Sequence, residues 1–171
     1  MRSEKGQSLM EVVVALTVGI LVVTALTFAT LFSVRNASFS KASVQATKLA
    51  QEGLERVRSS RDKNAKINPP LTINGDTIDS WNNPDLWSNQ IGPNCAPNCY
   101  FNVDADGTLK HLTAAASIPS GAEQVGQFRR VITLSDDLTS YSTQKKVTAI
   151  VTWTDAAGSH ESKLTTILGK L

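Results

Sequence analysis

The chain has little of what most sites are built from. Two cysteines and two histidines in 171 residues exclude a disulfide-dense mini-scaffold and leave few soft metal ligands. Neither sign of charge dominates: 17 basic residues face 15 acidic ones, for a net charge of +2. That balance gives no electrostatic footprint for nucleic acid, and none is expected as a partner. With 10 Gly, 6 Pro and 41% hydrophobic residues, a collagen-like repeat and a wholly disordered chain are also excluded. Proline is absent before Pro69. The absence that matters most is local. Between Glu11 and Arg35 there is no formal charge at all, so the mean hydropathy of −0.12 averages two different regions.

As a helix, the 23 residues from Val12 to Val34 span about 34 Å, enough for a hydrocarbon core of about 30 Å. A buried core helix would be shorter and amphipathic. This run is apolar all round, except for Thr17, Thr24, Thr27, Thr30 and Ser33, whose hydroxyls can bond back to helix carbonyls in lipid. A cleaved secretory signal has an apolar run of only about 7–15 residues. A plain single-span anchor fits the length but leaves Glu11, a carboxylate at the edge of the run, without a reason.

The segment Lys5-Gly6-Gln7-Ser8-Leu9-Met10-Glu11-Val12-Val13-Val14-Ala15-Leu16 resembles the N-terminus of type IV pilins and type II secretion pseudopilins. The resemblance implies a leader, residues 1–6, cut between Gly6 and Gln7 by prepilin peptidase, with N-methylation at Gln7. Members often carry Phe or Met there. It also implies that Glu11 sets register in a filament by pairing with the new amine of a neighbouring Gln7. Gly6, lacking a Cβ, suits an extended backbone open to a protease. Glu11 in the first turns of a helix is favoured by the positive end of the macrodipole. Ala15 with Gly19, and Ala25 with Ala29, give small-xxx-small faces for close helix approach.

Past Arg35 the pattern turns amphipathic. Ala42, Ala46, Leu49, Gly53, Leu54 and Val57 recur at three- and four-residue steps among Lys48, Glu52, Glu55, Arg56, Arg58 and Arg61. One helix from about Ser8 to Asp62 is predicted, with 7–34 in a membrane or filament core and 35–63 its amphipathic half. Residues 64–126, rich in Asn, Pro, Gly and Asp, read as loops with a short hairpin. Trp81 and Trp87 either anchor this layer or form a binding surface. Asp104-Ala105-Asp106-Gly107 reads as the hairpin turn, against a calcium loop that lacks its final acidic residue. Cys95 and Cys99, with Pro97 and Asn98 between them, read as a local disulfide, with two free thiols as the alternative.

Residues 127–171 carry strand alternation. Val147, Ala149, Val151 and Trp153 are interleaved with Lys146, Thr148, Ile150 and Thr152. The expected fold class is therefore α+β and pilin-like, a long N-terminal helix packed on a C-terminal antiparallel sheet. No Ser-His-Asp arrangement, phosphate loop or metal-ligand cluster is present in the sequence, so no catalytic residue, metal or cofactor is expected, and the chain reads as a non-enzyme. His111 and His160 read as strand-surface residues. Arg129-Arg130 and Lys145-Lys146 each point to opposite faces of a strand.

What the resemblance implies for function is a structural, more minor-like, subunit of a pilus or pseudopilus. Its partners would be prepilin peptidase, an inner-membrane assembly platform, other pilin or pseudopilin subunits and the membrane. The location implied is a single-pass cytoplasmic membrane protein with its N-terminus cytoplasmic and its head outside, then a surface or periplasmic filament. The competing expectation is a membrane-anchored binding module that never polymerises, with its site between Trp81 and Cys99.

Overall fold

The computed structural model describes residues 5–91, 100–112, 121–136 and 139–171. The chain divides into two compact units, Met1–Ala42 and Ser43–Leu171. Helix α1, Lys5–Asp62, supplies the whole described part of the first unit and the opening of the second.

In the first unit α1 begins at Lys5, so the Gly6–Gln7 bond lies in helical rather than extended backbone. A protease would have to unwind that first turn, where backbone N–H groups lack intrahelical acceptors. The threonines behave as the composition predicts. Thr17, Thr24, Thr27 and Thr30 donate to the carbonyls of Val14, Ile20, Val23 and Thr27 at 2.7–2.8 Å, so their hydroxyls make no demand on the surroundings.

In the second unit the helix ends well before the prolines. Asn64 takes the left-handed conformation, and Ala65 N–H donates to Ser60 C=O while Asn64 N–H donates to Arg61 C=O. This is a Schellman cap, which satisfies the last carbonyls and turns the chain into the sheet. Among the described residues eight strands follow: β1 Lys66–Ile73, β2 Asp76–Ser80, β3 Tyr100–Val103, β4 Leu109–Leu112, β5 Glu123–Val125, β6 Phe128–Ser135, β7 Gln144–Asp155 and β8 Gly158–Gly169. A short helix α2, Pro84–Ser88, is capped by the Asn83 side chain, which accepts from Asp85 N–H.

The strands form one sheet in the order β2-β1-β4-β3-β6-β7-β8, with β5 beside β6. The sheet is mixed, not antiparallel throughout. β1 meets β4 in parallel through Ile67 and Leu109, because the chain returns to this side of the sheet only after α2 and β3. Residues 64–126, read from sequence as loops with one short hairpin, thus supply that hairpin, β3–β4, and also β1, β2 and β5. Asn74-Gly75, both at positive φ, close the β1–β2 hairpin, a pairing of residues suited to the right-handed twist of a two-residue turn. Asp104–Gly107 forms the β3–β4 turn, with Gly107 at φ +91 and Asp106 accepting from Thr108.

The expected alternation in β7 is present: Val147, Ala149, Val151 and Trp153 are buried. They face the second half of α1, where Ala46, Ala50, Gly53, Leu54, Val57 and Ser60 are buried and Leu49 is half-buried. The approach is close. A Cβ on Gly53 would stand 3.1 Å from both Arg130 Cδ and Ile132 Cδ1. Trp81 and Trp87 anchor the other layer. Both are buried, with Trp81 Nε1 donating to Ser60 Oγ at 3.1 Å and Trp87 Nε1 to the Trp81 carbonyl at 2.8 Å.

Candidate functional site

The first unit is the chemically unusual part. Every described side chain from Leu9 to Val34 is exposed, and Val13, the most covered large apolar residue there, is still 48% exposed. Sixteen such residues, each still 48–69% exposed, at about 1.5–3 kcal/mol for burying a fully exposed side chain, represent roughly 15–30 kcal/mol of unrealised transfer free energy in water. Soluble monomers rarely expose a contiguous apolar surface of this size. Among the described residues this is one helix long and apolar enough to cross a membrane.

Glu11 stands exposed on this helix. At about 100° per residue, Ala15, Gly19, Ala25 and Ala29 fall with Glu11 inside an arc of about 120°. That side of the helix therefore carries the single carboxylate and the small residues, together with Val18, Val22 and Leu26. Ala15 and Gly19 floor a shallow apolar groove rimmed by Val12, Leu16, Ile20 and Val23, and a Cβ on Gly19 would meet nothing within 4 Å. Another helix could approach its backbone closely there. Gly6 and Gln7 lie one turn earlier on the same helix. Cys95 and Cys99 fall outside the described residues.

The second unit holds two ion pairs that the sequence did not announce as such, one wholly buried and one between a buried arginine and a half-buried glutamate. Arg130 is buried, its guanidinium donating to Glu123 Oε2 from Nε and Nη2 at 2.9 and 2.7 Å and to the Leu49 carbonyl at 3.0 Å. Arg56, from α1, joins Glu52 and Glu123 in the same network. Lys145 is wholly buried beside Asp136 at 2.6 Å. Burial pushes its ammonium down from the usual lysine range, and the Asp136 carboxylate opposes that shift. Lys145 also donates to the Asn89 carbonyl, and Asp136 accepts from Ile91 N–H. Together they fasten residues 89–91 to the start of β7.

Arg129 and Lys146 are exposed where Arg130 and Lys145 are buried, as adjacent strand residues must be. Half of the basic pairs are thus spent inside the fold. His111 lies 5.4 Å from Phe101, and His160 stands 5.4 Å from Trp153 with its Nε2 2.9 Å from Asp155 Oδ1. That contact, with Ala157 N–H donating to the same oxygen, holds the Asp155 carboxyl below its usual range. Among the described residues, no three His, Cys, Asp or Glu side chains gather as a metal site. An open groove between α1 and β5–β6 has Leu49, Val125 and Phe128 as its apolar lining, with Lys48, Glu52 and Glu55 around it.

Compared with protein-family models, curated proteins and solved structures, the chain matches none.

Proposed function

We propose that this chain is a structural subunit, more minor-like than major, of a type IV pilus or a type II secretion-type pseudopilus. It is made as a prepilin, held in the cytoplasmic membrane by residues 7–34, cut by prepilin peptidase between Gly6 and Gln7, and assembled into a helical filament with its β-rich head outside. It is the substrate of a peptidase, not an enzyme. The observation that carries this reading is Glu11 on a wholly exposed apolar helix, five residues past Gly6 and on the meridian of Ala15 and Ala29. A lone carboxylate there is costly in a membrane. Opposite the amine of a neighbouring Gln7, in a low-dielectric filament core, it becomes a register device instead.

Glu11→Ala tests this without disturbing the head. The expected result is a membrane protein that is stable and processed but missing from sheared filaments. Normal incorporation of the variant would overturn the reading. The rival, an anchored binding module with its site between Trp81 and Cys99, would have to bind through residues other than the two buried rings.

A further inference from the structure

The two edges of the sheet are treated very differently. β2 is five residues long, carries Asp76 and Asp79, and has its Thr77 carbonyl occupied by the Asn83 side chain. β8 is twelve residues long and, among the described residues, no strand pairs with its outer side. Lys170 N–H donates to Thr143 C=O, which continues the β7–β8 register and fixes its parity. Even-numbered residues of β8 bond to β7, and odd-numbered ones turn their N–H and C=O outward. The outward carbonyl of Gly169 is already taken by Arg61 Nη1 at 3.2 Å. The open stretch is therefore Ser159, Glu161, Lys163, Thr165 and Ile167, all exposed. Long open edges are templates for another strand.

We infer that β8 pairs with β8 of a second copy, antiparallel about a two-fold axis at Ser162. The residues select both occupant and register. Centred on Lys163, two strands would set lysine against lysine; centred on Glu161, glutamate against glutamate. With Ser162 on the axis, Glu161 faces Lys163 of the partner twice and Ser159 faces Thr165 twice. Since Lys163 already pairs with Glu161 along its own strand at 2.8 Å, the four charges alternate in a square. Opposite charges across strands favour a register, and like charges disfavour it. The overlap of residues 159–165 stops short of Gly169, which Arg61 caps. Ser162 puts a small side chain where a non-hydrogen-bonded pair approaches most closely, about 4.5 Å between Cα atoms. One patch serves both copies, as an isologous interface requires.

Residues 43–62 follow β8 in the same direction, Thr47 beside Ser162 and Arg61 beside Gly169. The two-fold reverses them between copies. The contact therefore joins heads that meet in opposite orientation, and is independent of parallel packing between subunits in one filament.

Sedimentation of the full chain in detergent tests this with Glu161→Lys, Lys163→Glu, their equimolar mixture and Thr165→Pro. Each charge variant sets like charges together twice and is expected to weaken the dimer about tenfold or more. The mixture restores lysine opposite glutamate and should recover it. Thr165→Pro deletes an outward N–H that only a partner strand uses and should also give monomer. A monomeric wild type, or one unchanging mass across all samples, would overturn the inference. Association through α1 gives that unchanging mass, and leaves the filament reading standing.

Discussion

Lys145→Met separates a buried ion pair from a decorative one. Neither Lys145 nor Asp136 has any side-chain exposure. The ammonium is 2.6 Å from the carboxylate, 3.1 Å from the Asn89 carbonyl and 5.7 Å from the centre of the Tyr141 ring. Met keeps the volume but removes the cation from a buried anion. Breaking such a pair costs about 3–5 kcal/mol, against about 0–1 kcal/mol at a surface. That is a large share of a total near 5–15 kcal/mol. With a urea slope of about 1–3 kcal/mol/M, the midpoint should fall by more than about 1 M. Trp81, Trp87 and Trp153, all buried in the same unit, report the transition by fluorescence. Lys145→Met/Asp136→Leu removes both charges. It leaves the Asn89 carbonyl and Ile91 N–H to lose their bonds, at about 1–3 kcal/mol each. The double variant should therefore be clearly more stable than the summed singles, a coupling of about 2 kcal/mol or more. A single variant within about 1 kcal/mol of the parent, or strict additivity, would refute the reasoning.

Two further outcomes follow from the same geometry. Gly53→Val puts branched carbon where even a Cβ stands 3.1 Å from Arg130 and Ile132; overpacking of this kind should cost about 1–3 kcal/mol, read as a lower melting temperature of the head. Asp155 is held below the usual carboxylate range by His160 and by Ala157 N–H. Its contribution is present above about pH 4 and is lost as pH falls through its lowered folded value. Asp155→Asn should flatten that part of the acid-unfolding curve followed by circular dichroism, and an unchanged curve would count against the pairing.

What could be read ahead of the structure was whatever is periodic and local. The unbroken helix ending at Asp62, the back-bonded threonines, the inward face of β7 and the Asp104–Gly107 turn all depend on residues a few positions apart. Beyond the β3–β4 hairpin, the strands between 64 and 126 were not legible because they are short and held by distant partners, as Ile67 is by Leu109. Asn74-Gly75 was a usable hairpin signal within what was taken as loop. The buried cations were readable from parity: Lys145 lies on the same side of β7 as Val147 and Val151, and Arg130 on that of Phe128 and Ile132. Charge argued for the surface, and the pairing of Arg130 with Glu123 across the β5–β6 hairpin and of Lys145 with Asp136 explains why it lost. Glu11 is different in kind. Its proposed partner belongs to another subunit, so a single chain displays the carboxylate but not what it meets.

The central claim is that residues 1–6 are a leader and that the mature chain begins at Gln7. Intact mass of the membrane-extracted protein, with and without prepilin peptidase, tests it most directly. The account predicts loss of Met1 to Gly6 only when the peptidase is present, leaving Gln7 as the first residue. Retention of Met1 to Gly6 in cells that carry an active peptidase would contradict it.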